Sequence, residues 1–466
     1  MRGGRIVAQH SSKGRAVDLT QGNIARQMVV FTLPILAGYI FQTLYNNVDS
    51  LVVGNYVGKG ALAAVNACTP IYNLLVGFFI GTSTGASVIF SRSLGAGDHD
   101  KLRRAIHSTL LFTIVLGVIL GAAGVALVPV ILRVLNVRED IYLMAGEYLR
   151  VYIAGILATA FYNVGAAVLR SVGDSRSPFY ALVVSSLLNI VLDILFVRAF
   201  HWGVAGVAIA TVLAQVVSVG MEIFRMGKMD PRCRPDFRHM AMDWPLLGEI
   251  LNMGLPAGIQ ASLIAISNIF VNRYINSFSS ELMAGVGVAQ KVDRFINMPC
   301  QALGLAATTF VSQNIGANKP DRIKRGIGVS MGIGLAAILV TGGLIAYAAP
   351  SIMELFNRDE LVVRYGTEMI RTLAPLYILC LVTQVMSGVL RGFGYSRQVT
   401  VLSLLGMVVI RQIYLALCMP RFNSPYVIYI GYPVGWFFDA LNMVTFSILL
   451  YRRGRFSAAF RESKIK

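Results

Sequence analysis

Apolar runs of about 20 residues, the length that crosses the hydrocarbon core of a bilayer as a helix, recur along the whole chain. Twelve can be counted, at about 27–53, 61–88, 107–132, 143–168, 178–198, 203–223, 250–276, 283–311, 327–350, 367–390, 400–420 and 428–451. Lipid offers no hydrogen bonds to the backbone, so each run is predicted to be α-helical. The pattern predicts an all-α, polytopic membrane protein.

The short polar segments between the runs occur twice. Ser91-Arg92-Ser93-Leu94-Gly95-Ala96-Gly97 returns as Ser312-Gln313-Asn314-Ile315-Gly316-Ala317-Asn318, 221 positions later. Val168-Leu169-Arg170 with Gly173 and Arg176 returns at the same offset as Val389-Leu390-Arg391 with Gly394 and Arg397. Six helices per repeat is an even number. The two halves therefore enter the membrane in the same orientation, related by an axis along the membrane normal. The predicted architecture is twelve transmembrane helices in two pseudo-symmetric six-helix bundles. Its parts are an N-terminal tail (1–26), an N-terminal lobe (27–224), a polar linker (225–248), a C-terminal lobe (249–451) and a basic tail (452–466).

Composition sharpens this picture. The chain of 466 residues is 56% hydrophobic and 14% charged, against about 25% charged in soluble domains. Its net charge of +18 points at first to nucleic acid, but the placement of the charge excludes that. Of 41 Lys and Arg, 28 fall in the two tails and the loops after even-numbered helices, and 7 in the loops after odd-numbered ones. That asymmetry predicts both termini in the cytoplasm, with the lipid bilayer as partner. The first twenty residues lack an apolar signal-peptide core, so no cleaved leader is expected. The five cysteines follow neither a disulfide nor a metal-ligand spacing.

Glycines four apart, among them Gly77, Gly81 and Gly85, suit close helix packing in lipid. Pro34 and Pro256 open the two halves alike, each inside an apolar helix, where a proline can kink it. Glu147 with Arg150, and Glu368 with Arg371, are read as ion pairs on one helical face. The arginines Arg170 and Arg391 are read as interfacial anchors or turn caps.

Ionisable groups near the bilayer centre cost about 2.5–3.5 kcal/mol each on insertion scales, so each needs a reason. Asp49 and Asp193 have no acidic counterpart in the second repeat; Asp193 faces Tyr414 at the repeat offset. Asn189 shares a helical face with Asp193, and Thr211 adds a hydroxyl in the next helix. These hard oxygen groups suit a small cation such as Na⁺. Two crowded carboxylates equally suit a proton. A third reading is that both aspartates simply bond backbone or hydroxyl groups. The second half offers Gln260, Asn268, Lys291, Asp293, Arg294 and Gln384, which either pair among themselves or line a substrate path. Aromatics such as Tyr39, Phe41, Tyr45, Tyr72, Phe161 and Tyr162 can stack on planar or cationic solutes, or serve packing; Tyr45 is carried forward as a path residue.

On Leu33-Pro34-Ile35, Val48-Asp49, Asn189 with Asp193, Gly206-Val207-Ala208-Ile209-Ala210-Thr211 and the paired loop motifs, the chain resembles the multidrug and toxic compound extrusion (MATE) transporters over about residues 20–450. The resemblance implies two six-helix lobes that open alternately to either side. It also implies export of varied, often cationic or aromatic, small organic molecules in exchange for H⁺ or Na⁺, with no cofactor. In such transporters an N-lobe cation site is built from residues that map onto Asp49, Asn189, Asp193 and Thr211. The acidic C-lobe residues of the NorM-like branch have no match in Gln260, Asn268 and Gln384, so the chain looks closer to the DinF/MepA-like branch. The expected protein is a monomeric antiporter of the inner cell membrane, not an enzyme. A lipid-linked precursor flippase of related fold is the alternative.

Overall fold

The computed structural model describes residues 16–231 and 233–456. Most of the two tails lies outside these residues. The described chain is helical throughout: α1 (Ile24–Val52), α2 (Lys59–Ala96), α3 (His99–Val134), α4 (Glu139–Ala154), α5 (Ile156–Ser171), α6 (Arg176–Ile194) and α7 (Gly203–Gly227), then α8 (Trp244–Ile275), α9 (Ser280–Gly316), α10 (Pro320–Phe356), α11 (Glu360–Leu373), α12 (Tyr377–Gly392), α13 (Ser396–Leu404), α14 (Arg411–Phe422) and α15 (Pro425–Arg452). Each of the twelve apolar runs falls on one helix or on a consecutive pair.

Among the described residues, ten helices or merged helices are long and apolar enough to cross a membrane, and α4 with α5 makes an eleventh, bent by 45°. The remaining run is α9, which carries Lys291, Asp293 and Arg294 about three turns in from its start. The bend falls at Gly155, where an added Cβ would lie 2.2 Å from Val212 of α7. In the second half the equivalent join is a single tight turn, Ala374–Leu376, containing Pro375.

The loop motifs repeat in conformation as well as in letters. Gly97 and Asn318 both adopt left-handed backbone (φ 73° and 55°) at a helix end, and Asn is the non-glycine residue that best tolerates this geometry. Gly173 (φ 87°) and Gly394 (φ 92°) form the second matched pair. Asp98 then starts α3 by accepting from the Lys101 N–H at 2.8 Å.

Two compact units emerge. Among the described residues, one is Ala37–Gly258 with 16–18; the other is Leu19–Leu36 with 259–456. The change of unit falls two residues after Pro34 in α1 and two residues after Pro256 in α8. A proline removes one backbone hydrogen bond from the helix ladder, so these are the points where each long helix is easiest to redirect.

Within the first unit, α2 and α8 meet backbone to backbone. A Cβ on Gly85 would lie 2.4 Å from the Ile250 carbonyl, and one on Gly81 would lie 2.5 Å from the Gly258 nitrogen. The polar linker is fastened to the same unit. The Asp236 N–H donates to His107 Nε2 at 2.9 Å and the Asp243 N–H to Ser108 Oγ at 2.8 Å, while Arg104 pairs with Asp243 at 3.0 Å.

The second unit holds the segment before α1 in a comparable way. Arg322 donates to the carbonyls of Leu19, Gln21 and Gly22 at 2.7–3.0 Å, and Lys319 to that of Thr20 at 2.6 Å. Asn314, from the repeated loop motif, also donates to Leu19 at 3.1 Å. The carbonyls of the segment that leads into α1 are thus met by polar side chains at the adjoining ends of α9 and α10.

Two sequence expectations need correction. Glu368 pairs with Arg364 at 3.0 Å, one turn earlier, while Arg371 donates to the Ala346 carbonyl at 3.3 Å. Glu147 and Arg150 are exposed and form no ion pair among the described residues, since a lone i,i+3 pair holds too weakly to fix two long side chains. Arg391 is not a surface anchor: its guanidinium reaches inward to Gln260 Oε1 at 2.8 Å.

Gly85→Val is expected to destabilise the detergent-solubilised protein by about 3 kcal/mol or more, because overpacking against backbone cannot relax as a side chain does. Gly220→Ala, where an added methyl meets nothing within 4 Å, should change it by less than about 0.5 kcal/mol. Thermal unfolding of the two variants side by side checks the contrast.

Candidate functional site

Asp49, Asn189, Asp193 and Thr211, far apart in sequence, converge inside the first unit. Asp49 lies one turn before the end of α1, Asn189 and Asp193 share the inner face of α6, and Thr211 faces them from α7. Asn189 and Asp193 are essentially inaccessible, at 1% and 0% exposure. The carboxyl groups of Asp49 and Asp193 approach within hydrogen-bonding reach of each other. The Asn189 side-chain amide donates to Thr211 Oγ1 at 3.5 Å, and that hydroxyl donates back to the Val207 carbonyl at 3.0 Å.

The helix geometry is irregular here. Immediately after each aspartate-bearing α-helical segment the chain widens into a short π-helical turn, Val53–Val57 after α1 and Leu195–Ala199 after α6. Such turns disturb the regular hydrogen-bond ladder and re-aim neighbouring side chains.

The decisive feature is what the oxygen atoms lack. Oδ1 of Asp49, Oδ1 of Asn189 and both carboxylate oxygens of Asp193 are buried without a hydrogen-bond donor among the described residues. Acceptors left bare at this depth cost about 1–3 kcal/mol each, more when charged. Two carboxylates this close need a shared proton or a cation between them. The donor set is all oxygen, which matches Na⁺ as well as H⁺, so the residues fit either ion.

Next to this cluster lies a small cavity of about 10 Å³ lined by Tyr45, Ser185, Ser186, Asn189, Thr211 and Gln215, among others. That is the room of about one water molecule. Tyr45, Tyr72 and Tyr148 stand close enough to feel the charge on Asp49. Tyr72 packs on Tyr152 with ring centres 4.9 Å apart, and Tyr152 stacks on Tyr148 at 6.2 Å. Sequence reading overlooked Ser185, Ser186, Gln215, Tyr148 and Tyr152. The signal was present: Ser185 and Ser186 stand about one turn before Asn189, and Gln215 one turn after Thr211.

The candidates in the second unit are not brought together as one site. Gln260 accepts from Arg391 and, at 3.4 Å, from Thr400. Asn268 and Ser267 accept from the buried Arg411 at 2.9 and 2.7 Å. Asp293 accepts from the Tyr377 hydroxyl rather than pairing with Lys291 or Arg294, because residues one and two apart on a helix point in different directions. Lys291 and Arg294 are exposed, and Gln384 is half-buried on α12. A further buried carboxylate, Asp439, accepts from Ser403 with both oxygens, at 3.0 and 3.2 Å.

The MatE family model matches residues 34–195 and 256–416, one copy in each repeat. The chain is 30% identical over 446 residues to the probable multidrug resistance protein YpnP of Bacillus subtilis (strain 168), covering 95% of this chain and 98% of that one. It is 21% identical over 385 residues to the multidrug export protein MepA of Staphylococcus haemolyticus (strain JCSC1435), covering 82% of this chain and 85% of that one. Its fold matches a structure described as the outward-facing conformation of a multidrug resistance MATE family transporter of the MOP superfamily. That match has a TM-score of 0.88 and 24% identity, over 97% of this chain and all of the other.

The contrast between bonded and exposed polar groups in the second unit is testable. Arg411→Ala removes a fully buried side chain together with its bonds to Ser267 and Asn268, and we expect a loss of about 2–4 kcal/mol of unfolding stability. Lys291→Ala should stay within about 0.5 kcal/mol of the parent chain. Chemical or thermal unfolding of the purified variants provides the measurement.

Proposed function

Since the chain belongs to the MATE family, we propose that it is an antiporter that exports small organic compounds in exchange for H⁺ or Na⁺ bound at Asp49, Asn189, Asp193 and Thr211. The protein is a multi-pass membrane transporter and not an enzyme. The observation that carries the coupling proposal is the pair of close carboxyls at Asp49 and Asp193, with buried oxygens that no donor among the described residues satisfies.

The physics of coupling follows from that pair. With no ion bound, two carboxylates share a low-dielectric pocket, at several kcal/mol of effective desolvation per charge. Binding one cation removes most of that penalty. An ion drives a transporter only if it binds one conformation better than the other. Shifting an equilibrium from 1:99 to 99:1 takes about 5.5 kcal/mol of differential binding, which is the size of the term the aspartate pair commands. The ion thus favours the arrangement in which α1, beyond Pro34, closes Asp49 onto Asp193.

For the cargo, the relatives' names speak of multidrug resistance and export. This supports small organic molecules, with cationic and aromatic compounds suited to the exposed aromatic side chains and to Tyr45. Gln260, Asn268 and Asp293 are path candidates in states that free them from their present partners; Lys291 and Arg294 are exposed already, and Gln384 is half-buried. The basic loops support an orientation with both termini in the cytoplasm of a cell whose inner membrane holds the protein, acting as a monomer.

The experiment is efflux of a fluorescent organic cation from vesicles of reconstituted protein, with a proton or a sodium gradient imposed separately. One gradient should drive efflux, and Asp49→Asn should abolish that gradient-driven component while the protein keeps its unfolding temperature. Undiminished efflux by the variant, or no response to either gradient, would refute the proposal.

A further inference from the structure

A second buried carboxylate stands apart from the aspartate pair. Glu222 lies in the last turns of α7, at the basic end of the first unit, with 1% of its surface exposed. Neither of its oxygens has a hydrogen-bond partner among the described residues. Gly165 of α5 makes the room for it: a Cβ there would lie 2.2 Å from Glu222 Oε2.

The charged and titratable groups facing Glu222 can be named. From α5, Arg170 acts on it as a countercharge and Tyr162 lies close by; Tyr39 of α1 belongs to the same cluster. On its own helix Arg225 is occupied by the buried Asp174, at 2.8 Å. A structural ion pair would close to contact, because a buried charge is tolerated only with tight pairing and full hydrogen bonding. Glu222 and Arg170 do not close in this way. The carboxyl is instead kept buried, bare and next to a cation, a setting that accommodates it both ionised and protonated.

Glu222 is also aligned with the proposed coupling site. Thr211, Gln215, Ser218 and Glu222 follow one another at intervals of four, three and four residues, so they form a single polar stripe along α7. All four are buried or half-buried. The water-sized cavity beside Asn189 opens onto the first two, and the Gln215 Oε1 and Ser186 Oγ at its wall lack partners. At 1.5 Å per residue the stripe spans about 16 Å from Thr211 to Glu222.

We infer that Glu222 is a second proton-binding site, which exchanges protons with the Asp49–Asp193 pair along the polar stripe of α7 and passes them to the basic end of the unit. Transfer breaks an O–H bond on an aspartic acid and forms one on a Glu222 oxygen, with water and hydroxyl groups of the stripe handing the proton on. Arg170 then favours release by stabilising the carboxylate. The inference rests on the coupling role proposed for the aspartate pair, and its test separates the two.

The test uses pH-difference infrared spectra of the full-length reconstituted protein, which report protonated buried carboxyls one by one. Glu222→Gln, close in shape, should remove one carboxyl band and Asp49→Asn a different one. Gly165→Ala, which keeps the carboxyl but crowds it, should shift the Glu222 band. Proton-driven efflux by Glu222→Gln should fall by about 100-fold, the lower end of what a positioned proton-transfer group contributes, with binding of the fluorescent cation unchanged. A Glu222→Gln spectrum that matches the parent band for band, or a band unmoved by Gly165→Ala, would overturn the inference. Loss of the Glu222 band together with intact efflux by Asp49→Asn would instead overturn the coupling role of the aspartates.

Discussion

A lipid interior supplies no hydrogen bonds, and this one constraint organises the molecule. Backbone groups are satisfied within helices, and side-chain groups must find partners inside the bundle. Most do. Arg411 is met by Ser267 and Asn268, Asp439 by Ser403, and Asp293 by Tyr377. The buried carboxylate oxygens that go unmet among the described residues belong to Asp49, Asp193 and Glu222. All three lie in the first unit, so the sequence repeat is broken where the electrostatic penalty is concentrated.

The same constraint explains how the helices are packed. Apolar side chains gain little by leaving lipid for one another, so tight backbone contact does more of the joining. Gly81 and Gly85 against Gly254 and Gly258 bring α2 and α8 together in the first unit, and Gly388 against Gly304 brings α12 to α9 in the second. These close approaches are rigid. Flexibility is left to Pro34 and Pro256, and the division into units changes just beyond each of them. The segments leading into α1 and α8 are then fastened by polar groups at the basic helix ends: Arg322 and Lys319 in one unit, His107, Ser108 and Arg104 in the other. The repeat thus duplicates a scheme of anchoring, with different side chains in the two copies.

The helical spans, their number per repeat and the basic asymmetry were legible because they depend on composition over long windows, where lipid solubility dominates every local preference. The four residues of the candidate coupling site were legible because acidic and amide groups stand out in apolar helices. Pairing was not. Glu368 lies at equal ease from two arginines in sequence, and only the packed helix selects Arg364. Lys291, Asp293 and Arg294 read as one cluster, yet their side chains diverge around α9, and Asp293 turns to a tyrosine 84 residues away. Glu222 was passed over because it sits near a basic loop in the sequence, where a carboxylate is unremarked until its burial is seen.

By itself the sequence determined the class of the protein, its doubled helical plan and the short set of residues that have to justify their presence in a membrane. Those follow from transfer energies and from the period of a helix, which are properties of local sequence. Tertiary structure decided which polar groups satisfy each other and which are left bare. That outcome depends on distances of a few ångströms between helices far apart in the chain, and no local pattern encodes it. The contrast between the bonded Asp293 and Asp439 of the second unit and the bare carboxylates of the first is therefore a result of packing.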